Sequence, residues 1–121
     1  MNPKELFVGA LVCAESPSGI CEVKEILSDH WIDTKGVRHD YERTEPIGLK
    51  PEILERLGLE WRAYAVCLSG EDICLVQCGD YWRVKPHQMS DDTICYIYYV
   101  HQLQCLLNLC DIDLEITLEH L

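Results

Sequence analysis

The chain has 121 residues, 48% of them apolar, with 10 basic against 21 acidic side chains and a formal charge of −11. That length suits one domain of the usual ~100–150 residues, and the apolar share supports a packed core rather than extended disorder. No stretch approaches the ~18 uninterrupted apolar residues of a membrane span, and so negative a chain repels phosphate backbones, so neither membrane contact nor direct nucleic-acid binding is expected.

In chain order, Pro3 suits a lead-in turn, and Phe7–Cys13 reads as a strand apolar enough on both faces to be partly buried. Ser16-Pro17-Ser18-Gly19 has turn composition. Ile20–Leu27 is the second strand, with Cys21, Val23 and Leu27 on one side and Glu22 and Lys24 on the other. After a turn at Ser28-Asp29, Trp31–Thr34 and Val37–Tyr41 form a hairpin around Lys35-Gly36, with Val37, His39 and Tyr41 sharing a face. Arg43–Leu49 carries a proline that suits an edge strand. Short strands at this spacing predict an N-terminal SH3-like small β-barrel or a curved antiparallel meander.

Pro51 opens a short linking helix whose buried face is Ile53, Leu54 and Leu57. Gly58 fits the left-handed position that ends it, with Leu59 folding back on Leu54. Ala63–Leu68 and Ile73–Gln77 form a hairpin with an acidic tip at Ser69–Asp72. Tyr81–Lys85 extends the meander, and a polar loop follows at His87–Asp92. Thr93–Tyr99 is rich in β-branched and aromatic residues and reads as a central strand packed on both faces. From Val100 the period lengthens. Val100, Leu103, Leu106, Leu107 and Cys110 line one helix face, with His101, Gln102, Gln104 and Asn108 opposite. Asp111–Ile116 reads as a last edge strand or an ordered tail. The expected class is α+β: a single domain over 1–121, with a β-rich lobe 1–49 and an α-β-β-β-β-α lobe 50–121 whose C-terminal helix packs on the sheet.

The chemistry-bearing residues form no known catalytic spacing. The eight cysteines fall mostly inside strand and helix patterns, where they substitute for small hydrophobes, and reduced thiols are the expectation. C-x-x-C and H-x-x-x-H are both absent, and Cys74 and Cys78 on one strand are a poor bite for a tetrahedral ion. No P-loop, dinucleotide fingerprint or nucleophile elbow occurs, so no cofactor, metal or catalytic residue is assigned. The N-terminus has no uniform secretory h-region, which points to the cytoplasm. Residues 1–62 hold 8 basic and 12 acidic groups and residues 63–121 hold 2 and 9, a distribution that serves solubility or presents an acidic face to a basic partner. Candidate interaction residues are the aromatics Trp31, Trp61, Tyr81 and Trp82, taken as exposed, and Tyr96 and Tyr98, which alternate along the tyrosine-rich strand.

The order YERTEPIGLKPEILERLGL, a hairpin, YW-x-V, then Y-I-Y-Y-V-H-Q-L-Q-x-L resembles a group of small uncharacterised proteins encoded by Bacteroidales bacteria and by their phages and mobile elements. Glu5, Leu6, Gly9 and Val12 keep the outline of that group's N-terminal segment, whereas Phe7 and Ala10 depart from it. Lys50 stands where the group has a threonine N-cap, and Cys110–Leu114 differs from its usual C-terminal pattern. The resemblance implies a bacterial cytoplasm and a prophage or mobile-element origin. It brings no activity with it, and it singles out His101 and Gln104 in its most distinctive segment.

The expected function is a non-enzymatic protein-interaction module with a protein partner, self-association being open. One alternative is an acidic inhibitor that mimics nucleic acid before a host DNA-binding protein. Another is a small Cys/His enzyme built on Cys95 and His101, which would need a thiol of lowered pKa beside a base.

Overall fold

The computed structural model describes residues 1–15, 19–59, 61–62, 64–68 and 73–121. The turn expected at Ser16–Ser18, the start of a strand at Ala63 and the acidic tip at Ser69–Asp72 lie outside the described residues. The chain divides into two units: Met1–Ile47 with Thr117–Glu119, and Gly48–Ile116 with His120–Leu121.

In the first unit, β1 (Leu11–Ala14), β2 (Ile20–Ile26), β3 (Trp31–Asp33), β4 (Arg38–His39) and β5 (Thr44–Pro46) form an antiparallel sheet in the order β4-β3-β2-β1-β5. The first strand begins later than its composition predicts. Phe7–Ala10 closes as a turn, with Gly9 at φ +96° and the Ala10 amide donating to the Phe7 carbonyl, a backbone that favours glycine. Pro46 sits on an edge strand, where its missing N–H costs no ladder bond. Strands β1 to β4 run as a meander and β5 crosses over to pair with β1 at the opposite edge; closure of β4 on β5 as an SH3-like barrel is not shown.

The core of this unit includes Leu6, Val12, Val23, Trp31 and Tyr41. Trp31, expected to be exposed, is fully buried. Its indole N–H donates to Thr44 Oγ1 at 2.7 Å, and the Thr44 hydroxyl donates to the Asp40 carbonyl at 2.8 Å. A buried indole needs such an acceptor.

In the second unit, α1 (Pro51–Arg56) ends as predicted. Gly58 adopts φ +79°, and the Gly58 and Leu59 amides donate to the Glu55 and Leu54 carbonyls, the bond pair of a Schellman stop. The strands β6 (Trp61–Arg62), β7 (Ala65–Cys67), β8 (Cys74–Cys78), β9 (Tyr81–Lys85) and β10 (Cys95–Ile97) form a second antiparallel meander in the order β10-β9-β8-β7-β6. Strand β6 has no counterpart in the sequence reading, because two residues carry no periodicity. The helix α2 (Val100–Leu109) follows, so the chain is α+β, two antiparallel five-stranded sheets with a principal C-terminal helix. No helix among the described residues is long and apolar enough to cross a membrane.

Three expectations are corrected here. The tyrosine-rich strand lies at the sheet edge rather than its centre and is only three residues long. His101, assigned to the polar side of the helix, is buried with Val100, Leu103, Leu106 and Leu107, while Cys110 is exposed at the helix end. Trp82 is buried like Trp31, its indole donating to the Leu49 carbonyl at 2.7 Å. Of the two readings of Asp111–Ile116, a last edge strand or a tail, the strand is absent: the segment is irregular, with Ile116 buried.

Because Trp82 both fills the core and satisfies a carbonyl, Trp82→Ala is expected to cost about 3–5 kcal/mol. Trp82→Phe, which mainly strands the Leu49 carbonyl, is expected to cost about 1–3 kcal/mol. Urea unfolding of the two variants checks both values and their order.

Candidate functional site

Strand pairing decides which side chains β9 and β10 show to solvent. Ile97 opposes Trp82 and Cys95 opposes Val84, while Tyr96 opposes Arg83. Trp82, Val84 and Ile97 are buried. Side chains alternate along a strand, so Tyr81, Arg83 and Tyr96 belong to the other face, and Tyr98 continues it just past β10. Tyr96 is 53% and Tyr98 44% exposed.

These rings touch in sequence. Tyr96 meets Tyr81 edge-on at 5.6 Å, Tyr81 meets Tyr98 at 5.5 Å, Tyr98 meets Tyr99 at 6.0 Å, and Tyr99 stacks on His101 at 5.8 Å with planes 10° apart. Each spacing falls in the range of favourable aromatic pairs. The result is a band of rings that starts at a sheet edge and ends on the buried imidazole at the start of α2. Arg83 and Lys85 donate to the Asp91 and Gln88 carbonyls at 3.3 and 2.8 Å and hold the polar loop.

The backbone where β10 hands over to α2 is fixed twice. The Gln102 side-chain oxygen accepts from the Tyr98 and Tyr99 amides at 2.7 and 3.1 Å, and the Tyr98 carbonyl accepts from the Leu49 amide at 2.9 Å. Gln102, at the third position of the helix, here plays the part of the Glu or Gln in a capping box, accepting from the N-cap amide of Tyr99. Beside Tyr98 and Tyr99 lies a shallow groove of about 370 Å³, whose lining includes Lys50, Pro51, Gln77 and Asp80.

Of the candidate interaction residues, the structure brings together Tyr81, Tyr96, Tyr98 and His101. Gln104 is half-buried further along α2, and Trp61 is half-buried against Trp82 at 5.8 Å. Trp31 and Trp82 are core and leave the candidate surface. Tyr99 joins it unforeseen.

Burial, and after it the Cys110 thiol, push the Cys95 thiol up, the opposite of what a thiolate nucleophile requires. Cys67 and Cys74 face each other across β7 and β8 with sulfurs 2.8 Å apart. Burial, then Cys67, push Cys74 up to about 12. One group of described residues could hold a metal ion: Cys21, Asp33 and His39 in the first unit, with ligand atoms within 4.8 Å of one another. Burial, then the Asp33 carboxylate, raise the Cys21 thiol to about 11. The sequence hint was there, since Cys21 goes with Val23 and His39 with Val37 and Tyr41. Placing the two sets on one face required the strand register.

Compared with models of known protein families, with curated proteins and with solved structures, the chain matches none.

Two outcomes follow. Gln102→Ala is expected to lower stability by about 1 kcal/mol, as loss of a helix cap does, and to broaden the Tyr98 and Tyr99 amide resonances in a nitrogen–proton NMR spectrum. At pH 8 a thiol at about 11 is thiolate in roughly a thousandth of molecules. Iodoacetamide is therefore expected to modify the exposed Cys105 and Cys110 well before Cys21 or Cys74, in an order read by peptide mass spectrometry.

Proposed function

We propose that the protein is a non-enzymatic interaction module that binds a partner protein through the Tyr81–Tyr96–Tyr98–Tyr99 band. The observation that supports this reading is the contiguous run of rings from half-exposed Tyr81 on β9 and exposed Tyr96 on the edge strand β10 to exposed Tyr98 and Tyr99 just past it. Tyrosine provides large, rigid contact area at small entropic cost and is enriched where interfaces gain their affinity. A solvent-facing run of this kind adds nothing to a core.

Two features support a basic partner within this proposal. Ring faces attract cations and the chain carries a formal −11, while the groove beside Tyr98 and Tyr99 holds one acid, Asp80, and one base, Lys50. A partner presenting arginine or lysine is favoured both in steering and in contact. A prophage or mobile-element origin, implied by the resemblance to the Bacteroidales group, belongs to the same proposal and would make the partner a host protein.

The test is capture from a bacterial lysate on the immobilised protein, side by side with a Tyr81→Ser/Tyr98→Ser variant of unchanged melting temperature. A basic protein retained by the native chain and released by moderate salt is expected to bind the variant about tenfold or more weakly, since each cation–ring contact contributes about 0.5–2 kcal/mol. Equal retention by both would overturn the role of the tyrosines. Displacement of the partner by duplex DNA would instead favour the nucleic-acid-mimic reading.

A further inference from the structure

The register of the first unit places three metal-ligating residue types on one face of three consecutive strands. His39 on β4 opposes Trp31, Asp33 on β3 opposes Val23, and Cys21 lies two residues before Val23 on β2. Paired residues share a face, as do residues two apart on a strand. Cys21 and Asp33 are both buried, Asp33 to 2% exposure, and the His39 side chain is 9% exposed.

The cluster is held in place by a surrounding set of bonds. The Lys35 and Val37 amides donate to Asp33 Oδ1 at 2.8 and 3.0 Å, which leaves Oδ2 facing His39 Nε2 at 2.8 Å. The His39 ring lies 4.4 Å from the Trp31 ring, and Trp31 is itself tied to Thr44. Ligands oriented by neighbours in this way are what a metal site requires. A carboxylate whose only task was closing the β3–β4 turn would be satisfied by those amides and the imidazole. The Cys21 thiol stands beside them as a third ligand type, hydrogen-bonded to the Asp33 carboxylate and 3.6 Å from the Gly19 carbonyl.

We propose that Cys21, Asp33 and His39 form a zinc-binding site. One sulfur, one imidazole nitrogen and one carboxylate oxygen are the borderline-soft mixture that zinc takes, and three protein ligands leave a fourth position open. Around a tetrahedral zinc, with bonds of about 2.3 Å to sulfur and about 2.0–2.2 Å to nitrogen or oxygen, neighbouring ligand atoms stand roughly 3.3–3.6 Å apart. The spread of up to 4.8 Å must therefore contract by about an ångström, within the reach of side-chain rotation. A cleft of about 230 Å³, lined among others by Cys21, Glu22, Asp33 and Lys35, gives the ion its way in. On binding, the Cys21 thiol loses its proton to solvent, the Nε2 proton that His39 donates to Asp33 exchanges through solvent to Nδ1, and the His39–Asp33 hydrogen bond is replaced by two bonds to the metal.

The experiment uses the full reduced chain, stripped by a chelator. Titration with Co²⁺ as a coloured stand-in is expected to saturate at one ion per chain with a thiolate-to-cobalt charge-transfer band. Zn²⁺ is expected to raise the melting temperature and to move the backbone amide resonances of Cys21, Asp33–Val37 and His39 most. Cys21→Ser is expected to lose the band and to weaken Zn²⁺ binding at least 100-fold, whereas a Cys67→Ser/Cys74→Ser variant keeps both. The native-chain measurements stand whether or not the Cys21 variant folds. Absence of the band and of any melting shift at micromolar metal overturns the proposal. So does a band that survives Cys21→Ser, or zinc-induced shifts centred on residues 67–78.

Discussion

A carboxylate buried in a small sheet has to be satisfied by several partners at once, and much of the first unit is arranged around doing so for Asp33. Left alone, an ionised group out of water costs several kcal/mol. Two amides from the β3–β4 turn and the His39 ring meet that cost. Burial by itself would raise the Asp33 carboxyl, but these partners outweigh it and hold it below the usual carboxylate value. Meeting the carboxylate fixes the turn, the turn fixes the β3–β4 register, and the register sets His39 against Trp31. Trp31 in turn requires Thr44, and Thr44 requires the Asp40 carbonyl. One buried charge thus propagates order through residues 31 to 44.

The second unit is organised by the way its aromatic rings are divided. Trp82 is admitted to the core because the Leu49 carbonyl accepts its indole N–H. The tyrosines on the other face of the same two strands remain at the surface, packed on one another. Gln102 and the Leu49 amide hold the backbone beneath Tyr98 and Tyr99, so the band is carried on fixed main chain. Preorganised rings lose less entropy on meeting a partner than rings on a loose loop. That is the physical basis for reading the band as an interface.

The two candidate sites use different chemistry. The tyrosine band offers area and ring faces, which suits recognition. The Cys21–Asp33–His39 group is small, polar and buried, which suits an ion. Neither resembles an activated nucleophile: Cys21, Cys74 and Cys95 all have thiols raised by burial, and reactive cysteines are lowered.

Local chemistry was readable from the chain itself. The Pro51 start and Gly58 stop of α1, the span of β9 and the Val100 start and buried leucines of α2 follow from proline and glycine geometry and from the period of the leucines, and each stands in the structure at the predicted place. The sequence by itself also determined the α+β class, the acidity and the absence of a long apolar helix. Only the tertiary structure decided that Cys95–Ile97 is an edge strand, that Trp31 and Trp82 are core while the tyrosines face water, and that His101 is buried. It alone brought Cys21, Asp33 and His39 together, past a register shift in β2 between Val23 and Glu25. The reason is physical: a strand's composition states that it is apolar, but which of its faces is covered, and what stands opposite each residue, is set by its neighbours in the sheet.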